Sequence, residues 1–191
     1  MTFRGFIAVE LKGLDSALAI IEEIRSLRAP FKLVRPEVMH ITLKFLGDTP
    51  EEQIPEIVDV MQNACSGKKA FDIGYRGLGA FPTQRKMSVV WVGITGAEPM
   101  KDIASGIEDG VGPLGFKREK RPFKPHLTLG RLRRHKKLEN KAYNSMQELF
   151  EVYKDQEMGG CTIDRIVLKK STLTPQGPIY DDVEEIVLPS E

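Results

Sequence analysis

One tetrapeptide, His-x-Thr-Leu, occurs twice in this chain of 191 residues, at positions 40–43 and 126–129. Each copy lies in a strand-like run that comes after a first strand and a helix and is followed by another helix. The two stretches therefore share element order, spacing and a distinctive motif, which indicates an internal duplication. We expect one domain over residues 1–191, with repeated halves at about 1–80 and 81–170 and a closing segment at 171–191.

Hydrophobic periodicity predicts the secondary structure around these motifs. Apolar residues at helical spacing predict four helices, at 14–27, from a capping box at 49–52 to about 65, around 100–111 and around 138–149. Alternating or β-branched runs predict strands at 6–11, 39–46, 71–75, 89–94, 126–132, 161–169 and 183–188. The Gly/Pro-rich stretch 77–82 is interpreted as a turn.

The overall composition is that of an ordinary globular protein, with 41% hydrophobic and 29% charged residues. No apolar run approaches the ~20 residues that span a bilayer, and the N-terminal residues lack the long apolar region of a signal peptide. We therefore expect a cytoplasmic protein with no membrane partner. Cys65 and Cys161 form no CxxC motif and are interpreted as buried structural thiols.

Charge is segregated along the chain, although the formal net charge is only +1. Residues 117–141, here called the basic segment, contain eleven Lys or Arg against two Glu. That segment carries +9 and the remainder of the chain carries −8. Such segregation indicates a phosphate-rich partner, for which nucleic acid is the natural choice. A solvated loop surface is the alternative that charge alone leaves open.

Strand alternation puts the polar residues of each motif on one face, because residues two apart point the same way. In the first motif His40 projects with Thr42. In the second motif His126 projects with Thr128. The intervening motif residues point the other way, into a core: Ile41, Leu43, Leu127 and Leu129. Each strand thus presents an imidazole and a hydroxyl side by side on a rigid backing.

Two such pairs facing each other suit a phosphate group. The threonine hydroxyls can donate to non-bridging oxygens, and imidazoles on opposite sides can serve as base and acid for an in-line displacement. Histidine is suited to both roles near neutral pH, since its unperturbed pKa is about 6.5. On the 2′,3′-cyclic phosphate of RNA, one histidine would take a proton from water and the other would protonate the leaving ribose oxygen. This chemistry requires neither a metal nor a covalent enzyme intermediate.

Three further side chains near the motifs have competing interpretations. Arg131, three residues beyond Thr128, is a candidate to neutralise charge on the phosphoryl oxygens, and a solvated arginine is the alternative. Phe45 occupies the corresponding position in the first half, where stacking on a nucleobase competes with simple packing. His135 belongs to no repeat and is interpreted as an exposed loop residue.

Other catalytic mechanisms find no support in the sequence. It contains no GxxxxGK[ST], GxGxxG, HExxH or GxSxG motif, and no nucleotide-binding lysine motif of an ATP-dependent ligase. Carboxylates and further histidines do not cluster around the two motif strands in the sequence, as a metal site would require. We therefore expect no cofactor and no metal.

Six segments of the sequence resemble those of a known protein family. The matching segments are Arg4-x-Phe6-Ile7-Ala8-Val9, His40-Ile41-Thr42-Leu43-Lys44-Phe45-Leu46-Gly47, Phe81-Pro82, Val90-Trp91-Val92-Gly93, Pro125-His126-Leu127-Thr128-Leu129-Gly130-Arg131 and Leu168-x-x-Ser171-x-Leu173-x-Pro175-x-Gly177-Pro178-x-Tyr180. They resemble the two-histidine (2H) phosphoesterases, and among these the RNA 2′,3′-cyclic phosphodiesterases, also called 2′-5′ RNA ligases. The stretch Lys86-Met87-Ser88 departs from the family, which often has Pro-Arg before the Trp strand.

The resemblance implies a bilobal α+β fold with pseudo-twofold symmetry, in which each lobe is an antiparallel sheet backed by helices and the active site lies in the cleft between lobes. It also implies hydrolysis of a 2′,3′-cyclic phosphate to a 2′-phosphomonoester, and 2′-5′ ligation as the reverse reaction. In that reaction His40 would be the proton donor and His126 the proton acceptor. The expected partner is RNA with a cyclic phosphate end, such as a tRNA fragment, and the expected state is a monomer.

Two alternatives from other functional classes remain open. A non-catalytic module that binds RNA ends would use the same basic segment, although such a module has no need for two facing acid-base groups. A phosphodiesterase for small cyclic nucleotides would use the same two motifs on a smaller substrate.

Overall fold

Two antiparallel β-sheets and four α-helices form the computed structural model over the residues that it describes, 1–175 and 177–190. The helices are α1 Asp15–Ser26, α2 Ile54–Cys65, α3 Glu98–Val111 and α4 Asn140–Val152. The strands are β1 Thr2–Glu10, β2 Phe31–Leu33, β3 His40–Pro50, β4 Phe71–Phe81, β5 Val89–Thr95, β6 His126–Leu132, β7 Glu157–Ile163, β8 Arg165–Thr174 and β9 Gly177–Val187. Short 3₁₀ helices cover Pro36–Val38, Glu51–Gln53 and Gln84–Lys86. The predicted α+β class is confirmed.

The sheet topology repeats the duplication seen in the sequence. The four-stranded sheet has the order β3-β1-β8-β9, and the five-stranded sheet has the order β2-β6-β5-β4-β7. The first motif strand, β3, pairs with β1, and the second motif strand, β6, pairs in the same antiparallel sense with β5. Each sheet also recruits strands from distant parts of the chain, so neither is built from one contiguous stretch.

The helices connect the two sheets. Helix α1 follows β1 of the four-stranded sheet, yet it packs against β2, β6 and β7 of the other sheet. Helix α3 follows β5 of the five-stranded sheet, yet it packs against β3 and α2. The apolar faces of all four helices join one continuous hydrophobic core. This exchange fixes the two motif strands relative to each other.

Several local expectations from the sequence are wrong, each for a physical reason. The stretch 77–82 is not a turn, because Gly77, with φ of 72°, forms a β-bulge inside β4, which continues to Phe81. The capping box predicted at 49–52 does not cap α2, which begins at Ile54. The Thr49 hydroxyl instead donates to the Gly47 carbonyl at 3.0 Å within β3. The run 161–169 is two strands that separate at Asp164, where the chain passes from one sheet to the other.

Other expectations from the sequence agree more closely with the structure. The apolar face predicted for α3 is buried, and so is that of α1 apart from the half-buried Leu14 and Leu18. Cys65 is buried on α2 as expected. Cys161 is only half-buried, and its sulfur lies 3.1 Å from the Tyr75 hydroxyl. Within the described residues, no helix is both long and apolar enough to cross a membrane.

Candidate active site

The strands that carry the two His-x-Thr-Leu motifs lie next to each other in space. Strands β3 and β6, from different sheets, approach with Cα separations of 8 Å or less. His40, Thr42, His126 and Thr128 are all half-buried. The apolar motif residues face the core and are 0–7% exposed: Ile41, Leu43, Leu127 and Leu129. The predicted division of each motif into a polar face and a packed face is therefore present in both strands.

Both imidazoles are oriented by the same hydrogen bond. His40 Nδ1 donates to the Val38 carbonyl at 2.8 Å, and His126 Nδ1 donates to the Lys124 carbonyl at 2.7 Å. In each case the acceptor is the residue two positions earlier, and a carbonyl oxygen can only accept, so Nδ1 carries a proton. This leaves Nε2 of each ring as the atom available for proton transfer. His40 Nε2 lies 3.1 Å from the Thr42 hydroxyl.

A β-bulge follows the threonine in both motifs. On β3, Thr42 pairs with Ala8 and Lys44 pairs with Ile7, so Leu43 is an extra residue in the ladder. On β6, Thr128 pairs with Trp91 and Gly130 pairs with Val90, so Leu129 is the equivalent extra residue. The duplication therefore extends to an irregularity at the same motif position.

The bulge reverses which face the following residues occupy. Strict alternation would put Lys44 beside Thr42 and would turn Phe45 and Arg131 towards the core. Instead Lys44 is 2% exposed and pairs with Glu108 on α3 at 2.8 Å, while Phe45 is 58% exposed. Arg131 is likewise exposed and lies opposite Lys32 of β2. Both residues thus return to the face that carries the histidines.

Aromatic rings surround each histidine. The His40 ring lies 5.0 Å from that of Phe6 and 5.2 Å from that of Tyr180, the latter edge-on. The His126 ring lies 4.9 Å from that of Phe81, at an interplanar angle of 90°. Trp91 lies farther from His126, at 6.3 Å between ring centroids.

These aromatic residues were not among the candidate site residues, although all four occur in the family-like segments. The signal that could have found them is the strand register. Phe6 lies beside Phe45, and Trp91 lies opposite Thr128, on strands whose neighbours carry the motifs. Lys124 was also missed as a site residue; its Nζ lies 4.9 Å from the Trp91 ring centroid and 5.5 Å from that of Phe81.

Burial and positive charge lower the pKa of both histidines. Desolvation is the largest cause in each case, and the hydrogen bonds from Nδ1 to the carbonyls oppose it. The Arg131 guanidinium lowers the pKa of His40 and also that of His126. One cation therefore acts on both imidazoles.

The eleven cations of the basic segment are all exposed on loops 112–125 and 133–139, on β6 between them, and at the start of α4. Arg118 is paired with Asp109 at 2.7 Å. His135 is exposed with a φ of 61°, as a loop residue outside the repeat. The cations of the basic segment are thus accessible on both sides of the second motif along the chain, and they are here called the basic surface. Within residues 1–175 and 177–190, no three His, Cys, Asp or Glu side chains are grouped to hold a metal ion.

The sequence that builds this site matches a known family. A family model described as the 2′-5′ RNA ligase superfamily matches residues 14–173, which include both motifs. The chain belongs to the 2′-5′ RNA ligase superfamily. The family resemblance inferred from the motifs is therefore confirmed.

Two curated relatives match this chain over nearly their full length. A protein of Methanothermobacter thermautotrophicus named RNA 2′,3′-cyclic phosphodiesterase is 37% identical over 186 residues, covering 96% of this chain and 98% of the relative. A protein of Aquifex aeolicus with the same name is 32% identical, covering 97% of this chain and 96% of the relative.

Solved structures share the fold. The crystal structure of TT0787 of Thermus thermophilus has a TM-score of 0.76 and 28% identity, covering 98% of this chain and 99% of that chain. Escherichia coli LigT complexed with 3′-AMP has a TM-score of 0.70 at 19% identity, over 98% of this chain and 99% of LigT. The two-sheet architecture expected from the resemblance is confirmed by these similarities.

Proposed function

We propose that this chain is an RNA 2′,3′-cyclic phosphodiesterase that works by two-histidine acid-base catalysis. The observation that carries the proposal is the matched pair of imidazoles, each held by an Nδ1 hydrogen bond to a carbonyl so that Nε2 is the nitrogen turned away from the backbone. Kinship with curated enzymes named RNA 2′,3′-cyclic phosphodiesterase supports the same substrate. The basic surface supports an RNA rather than a neutral ligand.

In the proposed reaction, water attacks the cyclic phosphorus while His126 Nε2 takes one of its protons. The bond between phosphorus and the ribose 3′ oxygen breaks, and His40 gives its Nε2 proton to that oxygen. The products are a free 3′-hydroxyl and a 2′-phosphomonoester. Each histidine ends in the protonation state with which the other began, and exchange with solvent restores the starting state. No step calls for a metal or a covalent intermediate.

The remaining motif residues would bind the phosphate. Thr42 and Thr128 would donate hydrogen bonds to the non-bridging oxygens, and Arg131 would stabilise the negative charge that grows on them in the transition state. The exposed ring of Phe45, brought to the site face by the bulge, would stack on a nucleobase. The apolar motif residues hold this arrangement in the core.

The same groups permit 2′-5′ ligation, because His126 can take the proton of an attacking hydroxyl as it takes that of water, while His40 again protonates the leaving 3′ oxygen. An RNA 5′-hydroxyl would replace water at the cyclic phosphate, and the strain of the ring would supply the driving force without ATP. We further propose a monomer built from one bilobal domain, acting on cytoplasmic RNA ends such as those of tRNA fragments.

The test is incubation of the purified protein and EDTA with an RNA oligonucleotide that ends in a 2′,3′-cyclic phosphate. We expect a 2′-monophosphate product, and we expect H40A and H126A each to lower the rate by at least about 10³-fold. The exposed His135 provides the matched control, since H135A should retain wild-type turnover.

The alternatives give different results in the same assay. Tight binding without product in the wild type would identify a module that only binds RNA ends. Rapid turnover of 2′,3′-cyclic mononucleotides with no preference for oligonucleotides would identify an enzyme for small cyclic nucleotides. For the proposed enzyme, the double variant H40Q/H126Q should still bind the oligonucleotide while its turnover is lost.

A further inference from the structure

The second motif strand has a partner that has no equivalent beside the first motif strand. Strand β2 lies along the outer edge of β6, whereas β3 is the edge strand of the four-stranded sheet. The register of β2 with β6 places Lys32 directly opposite Arg131. The pairing continues past the end of β6, because the Arg133 amide donates to the Pro30 carbonyl at 2.9 Å. The duplication therefore has an added strand on the side of the second motif.

Three cations form a row on one face of this two-stranded edge. Opposed residues of an antiparallel pair have their side chains on the same face, about 5 Å apart at Cβ, so Lys32 lies beside Arg131. Residues two apart along a strand also share a face, at a spacing of about 7 Å, which puts Arg133 next in the row. Lys32 Nζ lies 3.9 Å from the position that a Cβ on Gly177 would take, at the start of β9, a strand that also borders the active site. The row therefore runs outwards from the active site.

A cleft of about 330 Å³ opens at this edge of the sheet, next to the end of α1. The charged side chains that line it are all cations: Arg25, Lys32 and Arg133. Arg25 is paired with Glu22 at 2.5 Å. Lys32 and Arg133 are exposed, and neither forms an ion pair with any carboxylate of residues 1–175 and 177–190. Their charges are therefore available to an anionic ligand.

Another cleft, of about 430 Å³, adjoins His40 and has the opposite charge. Its charged side chains are four carboxylates and one buried lysine: Glu10, Glu37, Asp181, Asp182 and Lys169. Their formal charge is −3, against +3 for the cleft at β2. A polyanion whose end lies in the active site is repelled by the acidic cleft and attracted by the basic one. The charges thus favour one exit for an RNA strand.

We propose that Lys32 and Arg133 form a second phosphate-binding subsite, which holds the phosphodiester that precedes the terminal nucleotide of the RNA. The proposal rests on the proposed function and deepens it, because it assigns the path of the RNA strand away from its cyclic end. With the cyclic phosphate beside Arg131, the next phosphate along the strand meets the cations that continue the row.

Such a subsite selects for the class of substrate. Lysine and arginine side chains bind phosphates without reading the bases, so the subsite accepts any RNA sequence. A cyclic mononucleotide has no phosphodiester to place there. Lys32 and Arg133 therefore favour an RNA end over a cyclic mononucleotide with the same terminal base.

The test compares three substrates that all end in a 2′,3′-cyclic phosphate. They are a mononucleotide, a dinucleotide, and the same dinucleotide with an uncharged methylphosphonate in place of its phosphodiester. We expect the wild type to have its highest kcat/KM on the charged dinucleotide. In K32M/R133M this value should fall by about 3- to 20-fold, as the loss of two exposed ion pairs predicts, with kcat retained. For the other two substrates kcat/KM should change by less than about twofold.

The control removes two cations elsewhere on the surface. Lys69 and Lys170 are exposed and lie outside both the basic segment and the cleft at β2. K69M/K170M should therefore change kcat/KM for the charged dinucleotide by less than about twofold. A loss equal to that in K32M/R133M would assign the effect to net charge and overturn the proposal. Equal losses in K32M/R133M on all three substrates would also overturn it.

Binding tests the subsite without turnover. In the H40Q/H126Q background, adding K32M/R133M should weaken binding of an oligonucleotide with a cyclic end. It should also make the slope of the logarithm of the binding constant against that of the salt concentration shallower by about 0.7, the value for one phosphate contact to a single strand. This result, found together with a wild type that turns over none of the substrates, would support the subsite and overturn the proposed function. Turnover that depends on both histidines, with an unchanged slope, would overturn the subsite alone.

Discussion

Gly79 of β4 lies directly beneath the indole of Trp91 on β5, and a Cβ at residue 79 would come within 2.3 Å of that ring. The substitution G79A must therefore displace Trp91, which packs near His126. We expect kcat/KM for a cyclic-phosphate oligonucleotide to fall by about 10- to 100-fold, since displacements near 1 Å in a catalytic site have costs of this order. A Cβ at Gly112 meets no atom closer than 3.6 Å, so G112A is the control and should retain activity. Unchanged turnover in G79A would show that Trp91 has no part in the site.

How far the sequence predicts this site depends on which contacts are local. Alternation along a strand correctly places His40 with Thr42, because both lie in the same short segment. It does not predict the faces of Phe45 and Arg131, because two bulges decide them. The bulge at Leu43 arises where β3 pairs with β1, and the bulge at Leu129 arises where β6 pairs with β5. Register between strands is a non-local property, and no periodicity within one strand encodes it.

The same limit applies to the fold. Helical periodicity predicts α1 and α3 closely, but it identifies an apolar face without naming the sheet that covers it. The exchange of these helices between the sheets therefore had to come from the structure. Strand β2 has only three residues, Phe31–Leu33, which is too few for a recognisable pattern. The bonds of Lys169 on β8 to Glu10 on β1 and to Asp182 on β9 join three strands, the first across 159 residues, and no sequence motif predicts them.

Arg131 is expected to matter for catalysis more than its exposed neighbours. Replacing it in R131M removes the cation that would stabilise the transition-state phosphate, and we expect kcat to fall by about 10²-fold. Arg131 also lowers the pKa of both histidines, so the profile of rate against pH should move to higher pH in this variant. R133M, an exposed cation on the adjoining loop, is the control for charge alone. Equal effects of R131M and R133M on kcat would contradict this role.

Phe45 is expected to act in binding and to leave the chemical step unchanged. Its ring is 58% exposed, so F45A removes a stacking surface at little cost in packing. Stacking of a base on an aromatic side chain contributes roughly 1–3 kcal/mol, which predicts a KM increase of at least about fivefold with kcat unchanged. F45W should restore the wild-type KM. A large loss of stability in F45A, measured by urea denaturation, would favour the packing interpretation instead.

Lys44 is expected to stabilise the fold next to the first motif. Its ammonium is buried, pairs with Glu108 at 2.8 Å and donates to the Lys117 carbonyl at 2.7 Å. K44M leaves a partly buried carboxylate unpaired, so we expect the free energy of unfolding to fall by about 1–3 kcal/mol. Lys101 provides the control, since it pairs with Glu98 on the surface of α3, the helix that carries Glu108. K101M should lower the free energy of unfolding by no more than about 0.5 kcal/mol. Similar losses in the two variants would mean that burial adds nothing to the Lys44 pair.

The lowered pKa values of His40 and His126 predict a specific loss of stability in acid. Burial, the largest cause, disfavours the imidazolium in the folded protein, so below the ordinary value of 6.5 the unfolded chain binds more protons at these positions. Stability contributed by the neutral rings is therefore present above pH 6.5 and is lost as the pH falls from there towards the lowered folded-state values.

The measurement is urea denaturation of the wild type, H40Q/H126Q and H135Q between about pH 7.5 and about pH 5. H135Q is the control for replacing a histidine outside the motifs, since His135 lies on an exposed loop. The double variant should lose less over the same interval, since glutamine does not titrate there and the carboxylates common to all three proteins titrate alike. Parallel curves for all three would show that the two site histidines take up protons as readily in the folded protein as in the unfolded chain.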